Sequence, residues 1–241
     1  MEIIPIKIEK EIEPGDDLVE LMLHSEPTIQ TGDIVVFTQK IISKQEGKIV
    51  KLSSVVPSLL ATGIASEYEK DPRIIQLILD QSKRIVRMKN GIIISETIHG
   101  HICANAGVDE SNVNEGYATL LPNDANKSAD MSRNKIREKT GKDTAVIISD
   151  TFGRPFRYGQ TNIAIGFSGI SPITDYVGTR DNFGRILRVT EIAIADEICS
   201  AAELVMKKSL HAPIVIIRNY DFDNRTSKNV LNRTKSEDLF R

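Results

Sequence analysis

Three observations predict an α+β fold built from mixed, largely antiparallel sheets with helices. Two β-rich runs, IVRMK and GIIISET, meet at Asn90-Gly91, a dipeptide that supplies the left-handed backbone angles of a tight hairpin. The run TAVIISD is short, apolar and β-branched, as a buried strand should be. Helical and strand-like segments nevertheless do not alternate in the βαβ rhythm of a doubly wound sheet.

From the N-terminus, EIIPIKI predicts a strand, EPGDD a turn ending in a helix cap, and DLVELMLHS a short amphipathic helix. DIVVFT reads as a strand and KIISK as a strand or strand-to-loop piece. Residues 53–82 have helical spacing broken at Pro72, and the hairpin follows. The stretch HGHICANAGVDESNVNEGYATLLPND is rich in Gly, Asn and Asp with short apolar runs, so it predicts loops hung on strands. Residues 124–141 predict a polar helix closed by Gly141, and Asp150 ends the buried strand where a carboxylate faces a cleft. TFGRPFRYGQTNIAIGFSGI has the glycine density of tight turns. A helix over about 190–208 and the strand PIVIIRN complete the core, and the polar tail frays or docks through Leu239 and Phe240.

The chain has 241 residues, 40% hydrophobic and 27% charged, which excludes disorder for most of it and suffices for a core with a ligand cleft. It reads as one domain over residues 1–241, with two interleaved lobes as the alternative. The 31 basic and 33 acidic residues give a net charge of −2, which argues against a nucleic-acid partner. No apolar stretch approaches the roughly 18 residues of a membrane span, and the start alternates charged with apolar residues, so the expected location is cytoplasmic. Cys103 and Cys199 are too isolated for a disulfide framework or zinc knuckle and are expected to be small core residues.

Three constellations carry chemistry. Asp109, Asp150 and Thr151 are hard oxygen donors of the kind that hold Mg²⁺ or Mn²⁺ beside a phosphate, although loop aspartates also cap helices. Ser43 to Lys48 follows a strand with a serine, two lysines and a glycine, suited to a phosphate or to a solvated surface. No Walker loop or G-x-G-x-x-G fingerprint accompanies it. Arg154, Arg157 and Gln160 follow Asp150-Thr151 directly, where planar guanidinium forks can grip a phosphate or carboxylate or pair with nearby acids. His99, His101 and His211 lack zinc spacing, and the first two read as a solvated pair.

Taken in order, GDIVVFTQKIISKQEG, ANAGVDESNV, ISDTFGRPFRYGQTNIAIGFSGI, DYVGTRDNFGRILRVTEIAIADEICSAAELVM and SEDLFR resemble the coenzyme F-420-0:L-glutamate ligase family, also called gamma-glutamyl ligase. The resemblance covers nearly the whole chain, and its DTxGRxxRxGQTxxAIG-like run is long and specific. It implies an intertwined, two-lobed α+β dimer that joins L-glutamate to the side chain of coenzyme F-420-0 at the expense of GTP. Two divalent cations, Mg²⁺ or Mn²⁺, and K⁺ would assist. Carried over by position, Asp109, Asp150 and Thr151 match metal ligands, while Lys44 and Asn112 match nucleotide contacts. Gln39 and Lys40 fall where other members carry small hydroxyl residues, so a backbone or substituted contact is implied there. Arg154, Arg157 and Gln160 belong to the signature. Two stretches depart from it: Ile8-Glu9-Lys10-Glu11 replaces a Gly-Leu-Pro type loop, and Lys207 to His211 replaces a glycine-rich loop. A different acceptor, or nucleotide or deazaflavin binding without turnover, stays open as an alternative.

Overall fold

The computed structural model describes residues 1–25, 28–207, 210–224 and 231–238. In chain order its elements are β1 (Glu2–Ile6), α1 (Leu18–His24), β2 (Ile34–Thr38), α2 (Gln39–Gln45), β3 (Ile49–Lys51), α3 (Leu59–Tyr68), α4 (Pro72–Asp80), β4 (Ser82–Lys89), β5 (Ile92–Thr97), β6 (Ile102–Ala104), β7 (Tyr117–Thr119), α5 (Ala125–Thr140), β8 (Ala145–Gly153), β9 (Gln160–Ser168), β10 (Thr174–Asp175), β11 (Glu191–Ile192), α6 (Ile194–Met206) and β12 (Ile214–Arg218).

Five strands form the central sheet in the order β1-β12-β2-β8-β9. Only β2 and β8 run parallel, with Thr38 opposite Ser149; the other neighbours are antiparallel. The smaller sheets β4-β5-β6, β3-β7 and β10-β11 are antiparallel too, so the expected α+β class holds. The middle strands are apolar throughout because both of their faces are covered. Val35, Phe37, Val146 and Ile148 face α1 and α5 through Leu18, Met22, Ala129 and Ile136. Ile34, Val36, Ile147 and Val215 face α6 through Ala195, Ile198, Cys199 and Ala202. A further core joins α3 and α4 to the hairpin through Ile64, Ile75, Ile78 and Ile93.

Local chemistry sets the element ends. Asp17, Asp71 and Asp124 accept backbone N–H groups as caps of α1, α4 and α5, with Pro72 in the first turn of α4. Asn90 and Gly91 have φ of 52° and 72°, as a type I′ hairpin requires. Asp33 is 1% exposed and takes a two-pronged grip from Arg218 at 2.9 and 2.8 Å, tying β2 to β12.

Four expectations change, the first being that the strand does not end at Asp150: β8 continues through it to Gly153 because β9 pairs with it over that length. KIISK is helical within α2: β-branched Ile41 and Ile42 suggest a strand, but helix formation buries both while pairing Gln39 with Ser43 four residues on. The glycine-rich run after Gly159 is the strand β9, held along β8 with one register shift between Ile148 and Ser149. Helix α6 begins at Ile194 rather than near 190. The docking suggested for Leu239 and Phe240 lies outside the described residues. No helix among the described residues is long and apolar enough to cross a membrane.

Candidate active site

Helix α2 begins directly at the end of β2, one residue past the Thr38–Ser149 pairing with β8. Residues four apart share a helix face, so Gln39 and Ser43 lie on one face and Lys40 and Lys44 on another. Gln39 donates to Ser43 Oγ at 2.6 Å and to the Leu120 carbonyl at 3.2 Å. Lys40 Nζ reaches across the fold to Asp109 Oδ2 at 2.5 Å, and to the carbonyl and hydroxyl oxygens of Ser111 at 3.0 and 2.5 Å. Ser111 closes the cluster by donating its N–H and hydroxyl to Asp109 at 2.8 and 2.9 Å. Burial pushes the Asp109 carboxyl up, but Lys40 and the Ser111 N–H outweigh it and hold the group below the usual carboxylate range. Asp109 is therefore an anion at neutral pH.

Lys44 is 5% exposed, and its ammonium pairs with Glu11, whose side chain is largely in solvent. Of the two readings from sequence, the solvated surface lysine gives way: Lys44 is a buried cation paired with an exposed carboxylate. The neighbouring Ile8 N–H donates to the His211 carbonyl at 2.9 Å. The two stretches that depart from the signature thus touch each other, the first of them also meeting Lys44, with Lys208 and Ser209 outside the described residues.

Asp150 and Thr151 leave β8 on opposite faces. Asp150 lies on the side of Cys103, whose thiol burial pushes up to about 12 with a further push from the Asp150 charge. Its Oδ1 accepts the Thr151 N–H at 2.8 Å. Thr151 donates its hydroxyl to Asn162 Oδ1 at 2.7 Å, and Asn162 is backed by Glu203 of α6 at 3.1 Å. Arg154, Arg157 and Gln160 are exposed at the β8–β9 turn. Arg154 donates to the carbonyls of Tyr158 and Gly159, so the turn itself orients the guanidinium. Asn112 is exposed with φ of 55°, a left-handed angle that Asn tolerates, on the same loop as Asp109 and Ser111.

The model of the family described as F420-0:Gamma-glutamyl ligase matches residues 6–219. The chain belongs to this family. Similar curated relatives are the coenzyme F420:L-glutamate ligases of Methanothermobacter thermautotrophicus, 44% identical over 94% of this chain and 93% of the relative, and Methanocaldococcus jannaschii, 44% identical over 98% and 96%. That of Methanopyrus kandleri is 40% identical over 100% and 98%.

For this member of the gamma-glutamyl ligase family, the structure joins Lys40 to Asp109 and the Asp109 loop, and Lys44 to the N-terminal segment. Ser111, Glu11 and Glu203 escaped the sequence reading. The Asp109-x-Ser111 spacing was a usable sign, since an aspartate commonly accepts the N–H two residues on. Nothing local marked Glu11 or Glu203, whose partners are 33 and 41 residues away. His99 and His101 are corrected from a solvated pair: both are partly buried, and burial lowers both imidazoles below their usual value. Cys103 and Cys199 are buried as expected.

Proposed function

We propose that the protein is a cytoplasmic coenzyme F420:L-glutamate ligase that consumes GTP. The Lys40–Asp109–Ser111 cluster, closed across 69 residues of sequence in a chain of this family, carries the reading. A carboxylate is a poor acyl donor because its leaving group would be oxide. Transfer of the GTP γ-phosphoryl group to the terminal carboxylate of coenzyme F420-0 gives an acyl phosphate and GDP. The amine of L-glutamate then attacks the acyl carbon, the C–O bond to phosphate breaks, and the amide forms as the amine loses a proton.

Lys40 and Lys44 are two cations on one helix face, each now neutralised by a carboxylate. Phosphoryl oxygens replace or join those carboxylates when GTP enters, with Gln39 and Asn112 as neighbouring polar contacts. Exposed Arg154, Arg157 and Gln160 grip the anionic groups of the acyl acceptor or of glutamate. Asp109 and Asp150 each offer hard carboxylate oxygens of the kind that suits Mg²⁺ or Mn²⁺, and Thr151, on the opposite face of β8, keeps oxygen lone pairs because its own proton goes to Asn162; among the described residues no three His, Cys, Asp or Glu side chains stand together as a cation cage, so phosphate and water oxygens would complete the coordination. These residues would hold two divalent cations, with K⁺ nearby, and the bound cations would neutralise charge on the phosphoryl oxygens.

The working unit is a homodimer. Phe156, Tyr158, Phe183 and Val189 are between 87% and 101% exposed on the β8–β9 and β10–β11 arms, an apolar display that a second copy would cover.

The test is ligation by purified protein of coenzyme F420-0, L-glutamate and GTP with Mn²⁺, read by mass spectrometry beside ATP and metal-free arms. A glutamyl-extended product that needs GTP and metal is expected. GTP turnover with no such product would replace this reading by a ligase for another acceptor, which the two departing stretches would explain. Tight nucleotide or deazaflavin binding with no turnover would leave a non-catalytic binder.

A further inference from the structure

We propose that a cavity of about 330 Å³ between β9, the N-terminal end of α5 and the segment entering β6 is a subsite for a flat heterocycle with a lactam edge, here the deazaflavin ring of the acceptor. This rests on the ligase reading above.

The cavity adjoins the candidate site from two directions. Asp150 and Phe152 alternate onto the same face of β8. Phe152 meets His101 edge to face, with centroids 6.2 Å apart and planes at 89°, and His101 is part of the cavity wall. On the other side Gln39 holds the Leu120 carbonyl, and the next residue, Leu121, is also wall. Asp150 is thus linked to the cavity wall through Phe152, one strand repeat on, and its ring contact with His101. Lys44 and Glu11 are not part of the wall, which separates this cavity from the cation that would meet the nucleotide phosphates.

The wall chemistry suits such a ring. Leu121, Ile165 and Phe167 supply apolar surface for its faces. Asn126 accepts the Phe167 N–H through Oδ1 at 3.0 Å, which leaves its amide NH₂ as a donor. Asn232 Nδ2 lies 3.2 Å from His101 Nδ1; with the amide as donor there, neutral His101 carries its proton on Nε2. Asp124 caps α5 through Oδ1 and brings a carboxylate acceptor to the same wall. A lactam edge, an N–H flanked by carbonyls, needs one acceptor and neighbouring donors, and Asp124 with Asn126 and His101 is such a set.

The experiment titrates the full-length protein with a deazaflavin that carries the ribityl chain but no phosphate, read by its fluorescence without nucleotide or metal, and repeats the titration with guanosine, whose base edge sets its N–H between one carbonyl and an amino group instead of two carbonyls. Two variants are used: Asn123→Trp, at an exposed position on the cavity mouth, and His101→Phe, which removes a donor at similar volume. The expected result is deazaflavin binding weakened at least tenfold in each folded variant, with the KM for coenzyme F420-0 raised and that for GTP unchanged. Wild-type deazaflavin affinity in a folded Asn123→Trp protein overturns the subsite, as does selective loss of guanosine binding. Ligation with an unaltered acceptor KM in the variants sinks the subsite and spares the ligase reading. Cavity-dependent ring binding without ligation sinks the ligase reading and spares the subsite.

Discussion

Asp150 is the residue where one charge should matter most. Asp150→Asn keeps the volume and removes the carboxylate that the proposed mechanism sets toward the phosphoryl groups, so ligation should fall on the order of 10²-fold or more with the fold intact. Near-normal turnover in a folded variant would remove Asp150 from that role. Asp109 offers a pH test. Its folded pKa is held below the ordinary 3.8 by Lys40 and the Ser111 N–H against the push of burial, so the stability it contributes is full above about pH 4 and lost as pH falls through the folded value. Its side chain is 43% exposed, which limits that contribution to about 1 kcal/mol or less. Urea unfolding of wild type and Lys40→Gln should therefore differ by a small amount at pH 7 that shrinks at pH 3. A gap that widens in acid would contradict the assignment.

At the scale of elements, β9 and α5 approach each other closely at Gly166. A Cβ at Gly166 would stand 2.4 Å from the backbone carbon and oxygen of Ala125, which cannot swing aside as a side chain could. Gly166→Ala should cost about 1–3 kcal/mol and lower the thermal midpoint by several degrees. Calorimetry reads this directly, and an unchanged midpoint would show that α5 shifts without penalty. Aspartate caps, the Asn90-Gly91 turn and Gly141 were legible because each is satisfied within a few residues. KIISK was not: β-branched isoleucines favour a strand locally, and only burial of Ile42 against the sheet and the Gln39–Ser43 contact make the segment a helix.

For the whole molecule, the exposed aromatic side chains on the two arms are the feature that a lone chain leaves unexplained. Sedimentation should give a particle of two 26.8 kDa chains, and Phe156→Ser with Phe183→Ser should shift it toward one. A wild-type monomer at micromolar concentration would remove the dimer from the proposal.

Composition, the hairpin dipeptide, the caps and the buried run TAVIISD determined by themselves an α+β chain with Asp150 near the end of a covered strand, because burial periodicity and turn chemistry are written in neighbouring residues. The family resemblance likewise pointed to Asp109 and Lys44 from sequence order alone, while Lys40 stood where other members carry a small hydroxyl residue. Only the tertiary structure decided which charges meet: Lys40 with Asp109, Lys44 with Glu11, and Asp150 and Thr151 on opposite faces of β8. Partners tens of residues apart leave no periodic trace in the chain. They meet because the β2–β8 pairing sets α2 at the end of a parallel strand pair and the loop before β7 closes over it.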